Sequence, residues 1–520
     1  MYEFIRTSKH TIDYNNLETD KCVTVLEPLF LTKTSTITTD NVYNEVELFK
    51  DQNGNTETSV FKNINKSKTF FGEMVLKNKL LNPTRSYKKE KIEKENNTEF
   101  LEYITKHQKC LISFLEPINP LYENIYLHKQ IVKLLNQKNL SDSSQYIYNC
   151  FNLFLPVYNI FSLPIILIVF ACLKKYLPDY ITPKIQAMIN MSFMGLSNLN
   201  IFNETTITGV LKKLLYIGFF MYNIYSSIQF SILTNLLKNK ILESLEIVQT
   251  IIQKTDEIFK KNNYNFGKLI KPDVSYKHSG EAMNKFKNLF QSDGLITYIK
   301  FIGVIDYQNN RQELYRNGYT LPNYINSKKP LIIFKQMGNP TLDHSVKNDI
   351  SIHGNALITG PNACGKSTFI KGITINLLLA QTIGLSNSNY MLFTPFSFIN
   401  SQIYNTDETG KLSLFQKQIK RMDDYLEKIK ETDGFVFSVI DEIFNATNYK
   451  DSEKISDLYC SKLSDSKSLT LITTHLEKIT RKRPNFTNYK MLMNTNLENQ
   501  NFTYKIKEGV NKQSSLAHLI

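Results

Sequence analysis

Tryptophan is absent from this chain of 520 residues, and cysteine occurs only six times. The cysteines are scattered and form no C-x-x-C pair, so the sequence predicts neither a disulfide framework nor a zinc site. Residues 1–20 are polar and charged, and we therefore expect no secretory signal peptide there. Together these features favour reduced thiols in an intracellular protein, either cytosolic or nuclear.

An acidic balance is also lacking, since the formal net charge is +14. Residues 331–520 contain 22 Lys and Arg against 18 Asp and Glu, whereas residues 1–330 contain 40 against 30. The basic excess therefore lies mainly in the N-terminal part. It predicts contact with nucleic acid or an anionic membrane surface. A solvated, lysine-rich surface explains the charge equally well.

Two stretches, residues 153–173 and 214–237, contain no charged residue at all. Both have the length of a membrane span, and lysines flank them. This pattern favours a two-helix transmembrane hairpin within residues 151–237. The alternative is a pair of buried core helices, because Pro156 and Pro164 interrupt the first stretch.

One glycine-rich segment carries the strongest functional signal in the sequence. Gly360–Ser367 fits the phosphate-binding pattern G-x-x-x-x-G-K-[ST], with a strand-like end before it and a helix predicted over Phe369–Leu379 after it. In such a loop Lys366 reaches the β- and γ-phosphates of ATP, and the Ser367 hydroxyl holds Mg²⁺. The predicted nucleotide-binding residues are Gly360, Pro361, Asn362, Ala363, Cys364, Gly365, Lys366, Ser367 and Thr368.

Two further strands are predicted to end in residues suited to ATP chemistry. Phe435–Ile440 runs into Asp441 and Glu442, where the aspartate would order Mg²⁺ and the glutamate would activate water. Leu469–Thr474 ends in His475, which could sense or polarise the γ-phosphate, or serve only as a structural strand end. The predicted catalytic residues are Lys366, Glu442 and His475, and the predicted metal ligands are Ser367 and Asp441.

These motifs, GPNACGKST, VIDEIFNAT and TLITTH, resemble in order and spacing the ATPase of the MutS mismatch-repair family. The segment Tyr504–Ser514 is similar to the family's closing strand. A helix is predicted over Ser59–Asn82 and ends at Asn82-Pro83. Residues 59–83 resemble the start of the family's core domain, where a T-x-x-G precedes a helix that ends near a proline. The resemblance implies a homo- or heterodimer with ATP between subunits, in which Ser413 contacts the partner's nucleotide. It also implies a helical clamp around duplex DNA, bound without sequence readout.

The sequence departs from the family pattern at several positions. Phe444, Asn445 and Ala446 stand where the family has Gly-Arg-Gly, and Gln418 stands where a Glu is usual. No Gly-x-Phe-Tyr-Glu wedge for reading mismatches occurs. We therefore expect the family's motor without its mismatch reader.

The predicted fold is a C-terminal α/β P-loop NTPase domain attached to a mainly α-helical core and lever region. The predicted domains are residues 1–150 (core-like), 151–237 (two apolar helices), 238–330 (lever-like) and 331–520 (ATPase). The leading functional hypothesis is a DNA-binding, Mg²⁺-dependent ATPase in the nucleus or cytoplasm. The alternatives are a membrane-anchored ATPase of the same class, acting on a protein or on DNA near the membrane, and an ABC-type ATPase. No L-S-G-G-Q signature supports the last.

Overall fold

The computed structural model describes fifteen parts of the chain. They are residues 19–85, 92, 97–113, 115, 157–158, 207–261, 275–277, 281–282, 284–285, 293–342, 344–403, 414–444, 448–476, 478–493 and 502–511. The chain divides into two units, one made of residues 1–25 and 107–298 and the other of residues 26–106 and 299–520. All predicted nucleotide-site residues belong to the second unit.

Helices and strands are numbered here in chain order. The described helices are α1 (Thr19–Phe30), α2 (Asp40–Glu45), α3 (Val60–Ile64), α4 (Phe70–Leu81), α5 (Thr98–Ser113), α6 (Ile207–Lys261), α7 (Asp293–Arg316), α8 (Lys366–Thr382), α9 (Leu414–Glu431) and α10 (Tyr449–Ser464). The described strands are β1 (Asn323–Tyr324), β2 (Leu331–Met337), β3 (Asn348–His353), β4 (Asn355–Thr359), β5 (Tyr390–Phe393), β6 (Phe396–Gln402), β7 (Phe435–Ile440), β8 (Ser468–Thr474), β9 (Phe486–Met493) and β10 (Phe502–Glu508).

A six-stranded sheet in the second unit has the order β10-β9-β4-β8-β7-β6. Every neighbouring pair is parallel except β10 with β9. Strands β4, β7 and β8 are nearly continuous apolar or β-branched runs, as expected for strands covered on both faces. Because they run parallel, the carboxyl ends of β4, β7 and β8 lie at the same edge of the sheet, where α/β proteins bind ligands.

A second sheet has the order β1-β5-β2-β3. Helix α8 connects the two sheets in sequence, and most of its residues are buried in the same hydrophobic core as both. The predicted helix Phe369–Leu379 and the predicted strands Phe435–Ile440 and Leu469–Thr474 are confirmed. The mixture of α and β structure confirms the predicted class for the C-terminal part of the chain.

The continuous helix predicted between Ser59 and Asn82 is wrong, because the structure has two helices, α3 and α4. Between them the backbone N–H groups of Lys68 and Thr69 donate to the carboxylate of Asp306 on α7, over 2.7 to 3.1 Å. The Thr69 side chain then caps α4 by accepting from the N–H of Gly72 at 3.1 Å. A side chain more than 230 residues away thus interrupts the helix.

The predicted transmembrane hairpin is also wrong for the part of the chain that the structure describes. Residues 214–237 lie inside α6, a helix of 55 residues. No described helix is long and apolar enough to cross a membrane. Polar side chains such as Asn223 and Gln229 lower the mean hydropathy of this uncharged run. Residues 153–173 lie outside the described residues, apart from Val157 and Tyr158.

Candidate nucleotide-binding site

The phosphate loop connects the end of β4 to the start of α8. Ala363 and Gly365 both have left-handed backbone conformations, with φ of 62° and 89°. Gly365 precedes the first residue of α8, and its carbonyl accepts from the N–H of Phe369 at 2.9 Å. The loop therefore wraps around the N-terminal end of a 17-residue helix, where backbone N–H groups attract anions.

Both flanking glycines are needed for close packing. A Cβ atom on Gly360 would lie 2.7 Å from Sγ of Cys364, and one on Gly365 would lie 3.0 Å from the ring of Tyr504. The Cys364 side chain is buried, and burial raises the pKa of its thiol. A buried, protonated thiol is poorly reactive, so Cys364 acts here as a small residue that fills the loop.

The Lys366 side chain is buried within the loop. Its Nζ atom donates to the carbonyl oxygens of Gly360 and Pro361, over 3.0 and 2.9 Å. These carbonyls hold the ammonium group at the loop. A bound phosphate would offer charged oxygens in place of the two carbonyl partners, and such charge-assisted bonds are stronger.

Asp441 and Glu442 follow β7 and are connected to β8 through Thr473. The Thr473 hydroxyl donates to the Asp441 carboxylate and accepts from the N–H of Glu442, the latter over 2.8 Å. The Asp441 N–H donates to the carbonyl of Gln402 at 2.9 Å. Glu442 has a left-handed backbone with φ of 51°. No sequence motif includes Thr473, although its place near the end of a buried strand marks this edge of the sheet.

Topology brings the predicted site residues to one edge. Lys366 and Ser367 follow β4, Asp441 and Glu442 follow β7, and exposed His475 follows β8, which lies between these two strands. Parallel register pairs the last residue of β4 with the last residue of β8. Ser413, the predicted contact to a partner subunit's nucleotide, lies outside the described residues.

The donor set at this edge suits Mg²⁺. Among the residues that the structure describes, no group of three or more His, Cys, Asp or Glu side chains could hold a metal alone. Mg²⁺ needs no such cage, since it binds one or two protein oxygens and takes its other ligands from water and phosphate. The hydroxyl of Ser367 and the carboxylate of Asp441 are oxygen donors of the required kind.

A cavity of about 380 Å³ opens beside the phosphate loop, on the side of β10. It is lined by Met337, Asn339, Leu342, His344, Ser345, Val346, Asn348, Gly365, Thr368, Phe369, Gly372, Met491 and Tyr504. The Asn348 side chain holds the backbone around Tyr504. Its Nδ2 atom donates to the Tyr504 carbonyl at 3.0 Å, and its Oδ1 atom accepts from the N–H of Ile506 at 2.9 Å. From the sequence, Tyr504 was predicted only as part of a strand, with no role at the site.

Two of the four departures from the family pattern lie among the described residues. Phe444 adopts a left-handed backbone, with φ of 53°, which a glycine accepts more readily than an aromatic residue. Its buried ring contacts those of Phe415 and Tyr459, with centroids 6.1 and 5.1 Å apart. Packing therefore offsets the backbone cost. Gln418 is buried on α9, whereas residues 445 and 446 are outside the described part.

Comparison with known proteins agrees with this geometry. Residues 356–518 match the family described as MutS domain V. The chain is 27% identical over 292 residues to the DNA mismatch repair protein MutS of Persephonella marina, covering 54% of this chain and 31% of that protein. It is 27% identical to the DNA mismatch repair protein MSH3 of Candida glabrata over 38% of this chain and 21% of that protein.

MutS protein homolog 4 of Mus musculus is 33% identical over 121 residues, which cover 23% of this chain and 12% of that protein. The chain thus spans less than a third of the length of each of these relatives. The matched family segment contains the phosphate loop and the ends of β7 and β8. Residues 356–518 are therefore similar to MutS domain V, and this similarity supports membership of the MutS family.

Proposed function

We propose that this chain binds and hydrolyses ATP with Mg²⁺ and couples the nucleotide cycle to DNA as part of a dimer. The observation that carries the proposal is the edge of the six-stranded sheet, where the phosphate loop and the residues after β7 and β8 converge. A glycine-flanked loop, a lysine, a hydroxyl and two carboxylates at one such edge match the needs of phosphoryl transfer.

Each residue has a distinct role in this proposal. Lys366 binds the β- and γ-phosphates, while the N–H groups at the start of α8 bind phosphate oxygens. Ser367 and Asp441 hold Mg²⁺, which neutralises charge on the phosphates. Glu442 accepts a proton from the attacking water. His475 polarises the γ-phosphate from the end of β8.

The nucleoside has a suitable place in the cavity beside the loop. Its volume of about 380 Å³ falls within the usual range for small-molecule sites. Both the phosphate-loop residue Gly365 and the aromatic ring of Tyr504 line it, so a base stacked on Tyr504 would have its phosphates directed towards the loop. Base stacking on an aromatic ring needs no charged partner.

DNA is the proposed partner because two arguments agree. The net charge of residues 1–330 is strongly positive, and basic side chains supply most of the affinity in sequence-independent DNA binding. The names of the MutS and MSH3 relatives refer to DNA mismatch repair. We propose contact with the phosphate backbone of duplex DNA, made by the basic N-terminal part, with Ser413 acting across a homo- or heterodimer.

The test of the ATPase uses the variant E442Q. The amide keeps the shape of the side chain and cannot accept the water's proton, so ATP binding is retained and hydrolysis is lost. Binding is measured with a fluorescent ATP analogue, and hydrolysis by phosphate release. Wild-type turnover in E442Q would contradict the role of Glu442 as the base, and turnover without Mg²⁺ would contradict the metal site.

The DNA and dimer parts are tested separately. Duplex DNA of random sequence should stimulate phosphate release by the wild-type chain, and stimulation should weaken steeply as salt rises. Specific activity should increase with protein concentration if the active form is a dimer. E431A, a change of an exposed side chain on α9, is the matched control and should follow the wild-type curves. Unchanged turnover with DNA at low salt would contradict the DNA part alone.

A further inference from the structure

The segment Ile37–Glu47, called here the N-terminal brace, lies against the edge of the six-stranded sheet although it precedes the phosphate loop by more than 300 residues. Thr38 pairs in parallel with Ile399 of β6, and the Ile399 N–H donates to the carbonyl of Ile37 at 2.7 Å. Helix α2 within the brace packs against β6. The brace therefore continues the sheet beyond its last long strand.

Glu45, the last residue of α2, is a buried carboxylate that accepts three hydrogen bonds at or near the end of β6. Its Oε2 atom accepts from Oγ of Ser401 at 2.6 Å and from the N–H of Ile403 at 2.7 Å. Its Oε1 atom accepts from the guanidinium of Arg421 on α9 at 2.7 Å. The same guanidinium donates to the Ser401 carbonyl at 3.2 Å. The Glu45 side chain is only 9% exposed, so these bonds are shielded from water.

The residue between the two residues held by Glu45 contacts the site itself. Gln402 lies between Ser401 and Ile403, and its carbonyl accepts from the N–H of Asp441 at 2.9 Å. Glu45 thus holds the Ser401 side chain and the Ile403 backbone, on either side of a carbonyl that orients the start of the Asp441–Glu442 pair. The end of β6 has no other described strand beyond it, so the brace supplies the support that a neighbouring strand would give.

Glu47 makes the corresponding contact on the phosphate-loop side. Its carboxylate forms an ion pair with Nζ of Lys371 at 3.0 Å, and both side chains are less than 20% exposed. Lys371 lies on α8 four residues after Ser367, on the same helix face. Glu47 holds this position with a left-handed backbone, φ 58°, an unfavourable conformation for a residue with a Cβ.

We propose that Glu45 and Glu47 are positioning residues for the Mg²⁺ site: the brace fixes the helix that carries Ser367 and the strand end that carries Asp441 relative to each other. Glu47 contacts the helix directly, whereas Glu45 acts on Asp441 through the end of β6, whose Gln402 carbonyl accepts from the Asp441 N–H. This inference rests on the proposed function, because it assigns the brace to the metal that ATP binding requires. An element that only stabilised the fold would contribute equally with and without Mg²⁺.

The experiment measures the affinity of the full chain for a fluorescent ATP analogue, titrated with Mg²⁺ and compared with excess EDTA. The variants are E45A/R421A and E47A/K371A, each of which removes both charges of a pair and so leaves no unpaired buried ion. The matched control is E57A, which removes the exposed pair of Glu57 with Lys62. The unfolding temperature of every variant is recorded.

Both double variants should need about tenfold more Mg²⁺ to reach half of the Mg²⁺-dependent increase in nucleotide affinity. Loss of residues that support metal ligands typically has an effect of this size. Their affinity in EDTA should match that of the wild type, and E57A should match it throughout. E45Q should lie between wild type and E45A/R421A, since its amide oxygen can still accept from the N–H of Ile403.

Three outcomes would overturn the inference. Unchanged Mg²⁺ dependence in both double variants, with or without a lower unfolding temperature, would reduce the brace to a structural element. An equal loss of affinity in EDTA would do the same. A wild-type chain whose nucleotide binding is insensitive to Mg²⁺ would overturn the proposed function together with the inference. If E45A/R421A does not fold, E47A/K371A decides on its own.

Discussion

Residues close in sequence determine the phosphate loop, whereas a residue distant in sequence determines the break between α3 and α4. In the loop, residues within six positions of each other determine the geometry, as when Lys366 bonds to the Gly360 carbonyl. At the break, Asp306 accepts hydrogen bonds from residues 237 and 238 positions earlier. A local pattern therefore identifies the first, whereas the second depends on a side chain that no local pattern includes.

The position of Asp306 also explains why residue 72, three positions after Thr69, is a glycine. A Cβ atom at Gly72 would lie 2.3 Å from a carboxylate oxygen of Asp306, so only glycine leaves room for that carboxylate. The T-x-x-G motif thus encodes half of a long-range contact. Its threonine caps α4 and its glycine admits Asp306, and neither fact is visible until α7 is in place.

The largest expected effect is a loss of ATP affinity when a residue of the phosphate loop is changed. K366A removes the ammonium group that would bind the phosphates, and we expect ATP affinity to fall about a hundredfold, or about 3 kcal/mol. Titration with a fluorescent ATP analogue measures this. The control K335A removes an exposed lysine of β2 and should leave affinity unchanged. Equal affinity of K366A and wild type would contradict the assignment of the loop.

The second-largest expected effect is a loss of stability when the contact between Asp306 and the break between α3 and α4 is removed. D306A leaves the N–H groups of Lys68 and Thr69 without their carboxylate acceptor, and we expect the free energy of unfolding to fall by about 2 kcal/mol. Urea denaturation measures this. E431A, which removes an exposed ion pair, should leave the midpoint unchanged. A D306A midpoint equal to wild type would mean that the break forms without Asp306.

Sequence reasoning predicted the local elements of the site well and its remote elements poorly. The loop, α8 and the strands before Asp441 and His475 followed from short patterns, because each is determined by neighbouring residues. Thr473 and Glu45 were missed because their roles arise only when strands and segments distant in sequence become neighbours. The prediction of a membrane span over residues 214–237 was wrong for a different reason, because absence of charge does not make a helix apolar enough for a membrane.

The smallest expected effect concerns Tyr504, a residue distant in sequence that packs against the locally determined phosphate loop. Tyr504 is about 140 positions from the phosphate loop, yet its ring would lie 3.0 Å from a Cβ atom on Gly365. We expect Y504A to weaken ATP binding about tenfold, or about 1.4 kcal/mol, because stacking of the base is lost while every phosphate contact remains. Y504F keeps the ring and should bind like wild type. If Y504F weakens binding as much as Y504A, the hydroxyl rather than the ring carries the interaction. If neither variant weakens it, the nucleoside binds outside this cavity and the loop alone accounts for the affinity.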